Sequence, residues 1–383
     1  MKAIIPTVKG ARDFYPRQMA VRQWLHQHIA RVSQAYGYEE YDGPFLEKIE
    51  LYAAKSGEEL VKEQAFVFPD RGGELITLRP ELTPSLARMV AQKQGELVYP
   101  LRWWSFGPFW RYEKPQKGRS REFFQWNIDL IGVDSAEADA ELIGICGDFF
   151  RAVDLTPEKV QVFINDRQLM DAEFDRIGIP AGLKKQALHL IDRREKMSAE
   201  AWQAYANEAG ITAEMLAGLS ALLEDQQAWR KSPRLVRVVE ILEAMGLREY
   251  VSYDPRIVRG LDYYTGVVFE AKETTKEGRS ILGGGHYGNL VGDVGGDPLP
   301  GVGFAMGDMM VQVVLEKFGL LPQAETAPAP VLVTVFDETL MARSVHLAAG
   351  LRQAGLNVLC YPEAAKLPRQ FKYADKLGVR FVL

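Results

Sequence analysis

The sequence predicts an α+β protein: a mixed, mostly antiparallel sheet flanked by helices, with a helical insertion and a partial α/β domain near its C-terminal end. Three observations carry that reading. The stretch from Trp103 to Ile131 reads as two strands joined by a basic loop, RWWSFGPFWRYE, KPQKGRS and REFFQWNIDLI. From Asp166 to about Tyr250 the pattern changes to short helices with many Ala, Leu and charged residues. Beyond Pro330, VLVTVF, a helical stretch from Thr339 to Ala354, NVLCY, a helix near Leu367 to Leu377, and RFVL alternate as β-α-β-α-β. That alternation is the signature of parallel strands with crossover helices.

Taken in chain order, an amphipathic helix from roughly Pro16 to Tyr36 comes first, with Val21, Trp24, Leu25, Ile29 and Val32 on one stripe. GYEEYDGPFLEKIELY follows as a strand running into a helix, and Pro44 fits there only at an edge or a bend. LITLRPELTPSLARMVAQ reads as strand, loop and helix, with Thr83 and Pro84 suited to the cap and first turn. In the second hairpin strand Phe124, Trp126, Ile128 and Leu130 point one way, and Arg121, Phe123, Gln125, Asn127 and Asp129 the other. Period-two alternation buries the first set and lines an open face with the second. The β-rich core resumes near Val251, and PQAETAPAPV marks a linker. The expected domains are residues 1–325, a core with the insertion at about 168–250, and 331–383. The chain stops at Leu383 inside what reads as a third strand, so this last domain is expected to be incomplete.

Composition narrows the class. The chain has 383 residues, 47% apolar and 25% charged, an ordinary globular profile. No apolar run approaches the ~20 residues needed to cross a bilayer, and the N-terminus has no hydrophobic signal core. Cys146 and Cys360 are far apart, so neither a disulfide framework nor a zinc site is suggested and a cytoplasmic location is expected. The net charge of −5 does not exclude RNA, because local patches set the field a phosphate backbone meets. Basic clusters occur at Lys114 to Arg121, at Arg193, Arg194 and Lys196, and at Lys366, Arg369, Lys372 and Lys376. Each by itself is more simply a solvated face.

The polar hairpin face carries more chemistry than a soluble strand needs. An arginine, amides and a carboxylate spaced along one face with an aromatic among them suit a small zwitterion and a phosphate. Arg111 and Glu113 close the first strand, and Lys114, Lys117 and Arg119 populate the loop. Guanidinium groups bind phosphate oxygens bidentately, and a cationic loop can fold over a polyanion. The plainer reading is a solvated hairpin kept soluble by its charges. Glu81 beside Thr83, together with Gln125 and Asp129, would give two carboxylates and two neutral partners, a set suited to an ammonium with three donors. Arg259 lies in a Gly-containing turn and is followed by Tyr263 and Tyr264; a surface arginine and two core tyrosines are the plainer alternatives.

RYEKPQKGRSREFFQ resembles motif 2 of the class II aminoacyl-tRNA synthetases, in its histidyl-tRNA synthetase version. VKGARDFYP, TLRPELTPSLARMV, INDRQLM, VRGLDYYTGVVFE, ILGGGHYGNLV and GVGFAMGD stand in that family's order along nearly the whole chain. The resemblance implies a class II synthetase-like fold with a homodimer interface built by motif 1. It implies histidine, ATP, Mg²⁺ and tRNA(His) as ligands, with a C-terminal domain similar to the family's anticodon-binding domain. Glu81, Thr83, Gln125 and Asp129 would hold the amino end of histidine, and Tyr264 with Tyr263 would line the imidazole pocket. Arg259 would contact the α-phosphate and the amino-acid carboxylate, and with Arg111 would neutralise charge during catalysis. Glu113 would face the adenine and the metal-bound phosphates, Phe123 would stack on the adenine, and Arg119 and Arg121 would steady the triphosphate. No protein residues are expected to hold a metal on their own.

Two departures stand out. His286 and Gly288 occupy places where the family usually shows arginine and aspartate. Asp308, Met309 and Met310 stand where motif 3 normally ends in a Glu-Arg pair whose arginine clamps the ATP γ-phosphate. An organellar and bacterial subgroup resembles this chain in its GD ending. The alternative reading is the histidine-sensing, non-catalytic regulatory subunit of ATP phosphoribosyltransferase, which keeps the same core. The intact motif 2 loop and the extra α/β segment favour the ligase.

Overall fold

The computed structural model describes residues 4–53, 63–116, 118–258, 264–275, 278–322 and 327–383. Lys117, Arg259 and Tyr263 lie outside the described residues. The first helix, α1, spans Pro16–Ala35 and buries Leu25, Ile29 and Val32 of its apolar stripe. Next come β1 (Glu39–Glu40), β2 (Leu46–Lys48), α2 (Ile49–Ala53), β3 (Phe66–Pro69), β4 (Leu75–Leu78) and α3 (Thr83–Lys93). Strands β2, β4 and β3 form a small antiparallel sheet.

The hairpin is β5 (Leu101–Trp110) and β6 (Glu122–Ile131), paired antiparallel with Gly107 opposite Gln125 and Phe109 opposite Phe123. Arg111 and Glu113 lie just past β5 instead of closing it. The Tyr112 N–H turns away to the Gln64 carbonyl at 2.6 Å, which ends the ladder. Helix α4 (Ala136–Ala152) starts at Ser135, whose hydroxyl accepts the Ala138 N–H, with Glu137 and Asp139 at its positive end. After β7 (Val160–Asp166) come α5 (Arg167–Ile177), α6 (Lys184–Arg193), α7 (Ala199–Glu208), α8 (Ala213–Glu224) and α9 (Pro233–Ala244). Strands β8 (Val251–Tyr253), β9 (Val267–Glu273), β10 (Ser280–Tyr287) and β11 (Gly301–Gly307) follow, and then α10 (Asp308–Lys317).

The large sheet has the order β1-β5-β6-β11-β10-β9-β7-β8. Only its two edge pairs, β1 with β5 and β7 with β8, are parallel. One face is covered by helices: Trp104, Trp126, Ile128, Phe269 and Phe304 pack with Leu25 of α1, Phe149 of α4, Leu235 and Val238 of α9, and Val314 of α10. The Trp126 ring meets Phe149 at 5.4 Å and Phe304 edge-on at 4.8 Å. The helical stretch after β7 is not uniform. Met170, Phe174, Leu190, Trp202, Leu219 and Leu222 of α5 to α8 form their own core, whereas α9 joins the main one. Basic residues expected as a cluster there have local work: Arg193 and Arg194 lie over Tyr205 and Trp202, each at 4.9 Å, and Lys196 pairs with Asp192.

All of these strands belong to one compact unit, Met1–Asp13 with Arg22–Leu321; the other is Phe14–Val21 with Pro322–Leu383. The second contains β12 (Val331–Val333), α11 (Met341–Gln353), β13 (Val358–Cys360), α12 (Leu367–Leu377) and β14 (Phe381–Val382). Its sheet has the parallel order β13-β12-β14. Val331 and Val333 pack against Ala348, and Leu332 and Val335 against Ala374, so both faces are covered as parallel sheets require. Among the described residues no helix is long and apolar enough to cross a membrane.

Candidate active site

The uncovered face of the large sheet carries a pocket lined by Arg111, Glu113, Arg119, Phe123 and Gln125. Ser280 to Gly283 of β10, Ala305 and Gly307 of β11, and Met309 and Met310 of α10 complete its wall. Five of the residues singled out in the sequence therefore meet around one hollow. Arg111 is fixed by Nε donating to the Pro80 carbonyl at 2.9 Å, and its guanidinium carbon lies 5.4 Å from the Phe123 ring centre. Arg119 reaches the Glu113 carboxylate at 3.4 Å. Arg121 does not line the pocket. Its guanidinium stacks on Tyr112 at 3.9 Å, and Nε donates to the Glu113 carbonyl, because its backbone pairs with Gly10 on the outer side of the loop.

From this pocket the polar row of β6 continues inward through Gln125, Asn127 and Asp129. The row was expected to line an open face, but Asn127 and Asp129 are only 6% and 7% exposed. Strand β11 flanks β6, with Gly303 opposite Asp129, and Tyr287 of β10 reaches across to donate its hydroxyl to Asp129 at 3.0 Å. A Cβ at Gly303 would overlap the Asp129 carboxylate, so glycine there lets β11 lie against the acid. Burial pushes Asp129 up to about 7, and the Tyr287 hydrogen bond pulls the other way. The Tyr264 ring lies over Gly285 of β10, with Gly303 of β11 between that glycine and Asp129.

Glu81 and Thr83 are not among the residues that line the pocket; their link to it is through the chain, since the carbonyl of the preceding Pro80 accepts the Arg111 Nε–H. Thr83 does not cap α3: Leu82 occupies the cap position in a helical conformation with no side-chain hydrogen bond. Pro84 leaves the first turn one fewer N–H to satisfy, so the Thr83 hydroxyl is not needed as a cap. His286 points to the opposite, helix-covered face. Its Nδ1 lies 3.0 Å from both Asp139 and Arg234, and Asp134 approaches Nε2 at 3.2 Å. It ties α4 and α9 to the sheet and touches no part of the pocket.

Asp308 is fully buried at the start of α10, accepting the Phe124 N–H at 2.9 Å and pairing with Arg12 at 3.0 Å. Burial raises its pKa, with the Arg12 guanidinium and the Phe124 N–H opposing. The residue that sequence reasoning missed is Tyr287. Its period-two spacing from Gly283 and Gly285 could have placed it on the pocket face.

A mostly antiparallel sheet, helices behind it, and cations and acids gathered on its open face define a class II aminoacyl-tRNA synthetase core. The histidyl-tRNA synthetase family model matches residues 10–310. The histidine–tRNA ligase of Leptospira biflexa is 35% identical over 388 residues, covering 98% of this chain and 88% of its own length. The chloroplastic/mitochondrial histidine–tRNA ligase of Arabidopsis thaliana is 36% identical over 382 residues, covering 97% and 78%. The crystal structure of histidyl-tRNA synthetase from Nostoc sp. PCC 7120 superposes with a TM-score of 0.85 at 27% identity, covering 100% of this chain and 91% of that one. The chain belongs to the histidyl-tRNA synthetase family.

Proposed function

We propose that the chain is a histidine–tRNA ligase, which joins histidine to tRNA(His) in two steps. A carboxylate oxygen of histidine attacks the α-phosphorus of ATP, forming histidyl-adenylate as the bond to pyrophosphate breaks. The terminal hydroxyl of tRNA then attacks the adenylate carbonyl, and AMP leaves. Neither step needs a protein nucleophile. The protein holds the reactants in line and offsets charge that grows on the phosphate oxygens.

One observation carries this reading: Arg111, Phe123 and Gln125 line one pocket, and the strand that carries Phe123 and Gln125 continues on the same face to the buried Asp129. A nucleotide fits the first end, with its base on Phe123 and its α-phosphate by Arg111. An amino acid bearing a cationic or N–H-rich side chain fits the other. Glu81, Thr83 and Gln125 would take the ammonium; Asp129, expected with them, is buried against Tyr287 and would instead take the imidazole together with Tyr264. Arg259 and Tyr263 keep the roles that the family resemblance gives them. Arg121, stacked on Tyr112, would support the loop from outside.

Mg²⁺ fits the donors at this pocket. Among the described residues no cluster of His, Cys, Asp and Glu could hold a metal by itself. Mg²⁺ commonly needs only one or two carboxylates besides phosphate oxygens and water, and Glu113 offers one. Bound there it would offset phosphate charge.

The homodimer reading is supported by apolar side chains left exposed around the β2-β4-β3 sheet: Phe45 at 46%, Leu46 at 49%, Phe68 at 40% and Leu75 at 49%. Sedimentation is expected to give a dimer, and Leu46→Lys with Leu75→Lys a monomer; a monomeric parent protein would remove this reading. Glu81→Ala is expected to raise the KM for histidine by ~10-fold or more, while the KM for ATP stays within ~2-fold. Equal rises in both would point to a folding defect instead. The function itself is tested by charging a tRNA(His) transcript with labelled histidine. Label retained on the tRNA supports it; a folded protein that binds histidine without charging supports the regulatory alternative.

A further inference from the structure

Arg79, one residue past β4, has a side chain with no solvent exposure, a costly place for a charge unless it is paired and hydrogen-bonded. Its Nη1 meets the Asp42 carboxylate at 2.5 Å and the Gly43 carbonyl at 2.9 Å, and its Nε donates to the Pro108 carbonyl at 2.9 Å. The Phe45 and Phe109 rings lie against it, each with its centre 4.6 Å from the guanidinium carbon. Nη2 has no hydrogen-bond acceptor among the described residues, and a Cβ on Gly107 would overlap it. Gly107 and Phe109 stand opposite Gln125 and Phe123 in the hairpin, so the guanidinium covers β5 on the same face as the pocket.

The backbone beside this side chain leads to Arg111. The Arg79 N–H donates to the Phe45 carbonyl at 2.9 Å, and its carbonyl accepts the Trp110 N–H at 3.1 Å. The next carbonyl, that of Pro80, accepts Arg111 Nε at 2.9 Å. Phe109 in turn stacks on Phe123 with ring centres 5.9 Å apart, and the Phe123 ring centre lies 5.4 Å from the Arg111 guanidinium carbon. The contacts therefore close a circuit from Arg79 through Phe109, Phe123, Arg111 and Pro80 back to Arg79. We propose that Arg79 is a positioning residue for ATP activation: its guanidinium, clamped between Asp42 and the end of β5, sets where Arg111 and Phe123 stand without itself touching a ligand. The proposal rests on the ligase reading and deepens it. A planar fork suits this task, because it fixes the direction of each bond, whereas an ammonium would hold the same charge as a point.

The test uses two variants of the full chain. Arg79→Met keeps most of the side-chain bulk and removes every donor, and Gly107→Ala keeps every contacting residue but displaces Nη2. In both, kcat for histidine-dependent pyrophosphate exchange is expected to fall ~10-fold or more and directly measured ATP affinity ~5-fold, with the KM for histidine within ~2-fold of the parent. The decisive readout is a double-mutant cycle: in an Arg111→Ala background, Arg79→Met should lower kcat by less than ~2-fold, because the group it positions is gone. A residue that merely supports the fold would multiply the two losses and raise the KM of both substrates alike. Multiplied losses, parental kcat in both variants, or equal effects on ATP and histidine would overturn the proposal. If Arg79→Met does not fold, Gly107→Ala is taken through the same cycle. Failure of the parent protein to exchange pyrophosphate would count against the ligase reading instead, and ATP affinity in the two variants would still decide the role of Arg79.

Discussion

Replacing Arg111 by alanine is expected to lower the rate of histidine-dependent ATP activation by ~10²–10³-fold without unfolding the protein. Arg111 is anchored at the pocket wall: Nε is committed to the Pro80 carbonyl, and its guanidinium carbon lies 5.4 Å from the Phe123 ring centre. That leaves its terminal nitrogens available at the pocket wall. Preorganised charge is worth most where phosphate oxygens gain charge in the transition state, since nothing must rearrange as the reaction proceeds. The loss should therefore fall on kcat as well as on the KM for ATP, and Arg111→Lys should recover only part of it, because an ammonium cannot be bidentate. Pyrophosphate exchange measures both constants. A variant retaining parental kcat would remove Arg111 from catalysis.

Asp129→Asn is expected to do two opposite things: stabilise the ligand-free protein at pH 8 and abolish useful histidine binding. The Asp129 carboxyl has its folded pKa raised from 3.8 to about 7, with burial as the main cause. Between those values the folded state holds a proton that the unfolded state has released. The slope of stability against pH is therefore negative, and stability is lost as pH rises from about 4 to about 7. Above that window the penalty is at most on the order of 4 kcal/mol, from the difference between 3.8 and about 7. Asparagine keeps the shape and can still accept from Tyr287, but has no charge to desolvate.

Histidine would reverse that penalty in the parent protein by donating an N–H to the carboxylate, so losing the charge should weaken its binding by ~30-fold or more. The check is thermal melting at pH 5 and pH 8, with and without histidine. The variant should melt above the parent at pH 8 without ligand, with the gap closing towards pH 5, and should not respond to histidine. A less stable variant at pH 8 that still binds histidine would show that Asp129 is an ordinary structural acid.

The hairpin was legible because its signal is local. Alternation from Phe123 to Leu130 assigns faces with no knowledge of neighbouring strands, and the basic loop between the strands marks the turn. The state of Asp129 was not legible. It depends on Tyr287, which lies 158 residues away in sequence, and on Gly303 leaving space beside it. Thr83 had the sequence of a cap, yet the helix places Leu82 at that position with no side-chain hydrogen bond. Arg121 shared the parity of Phe123 and Gln125, but pairing of its backbone with Gly10 carried the side chain out to Tyr112. For His286 the neighbours that explain it, Asp139 and Arg234, come from two helices that only tertiary packing brings together. Residue type and spacing thus gave the chemistry, while burial and direction came from distant strands.

The central claim is that one groove holds a nucleotide at its arginine end and histidine at its acidic end, so that the two react. Its most direct test is transfer of labelled pyrophosphate into ATP by the purified chain, with and without histidine. Label should enter ATP only when histidine is present. Absence of label from a folded protein that binds both ligands would contradict the claim.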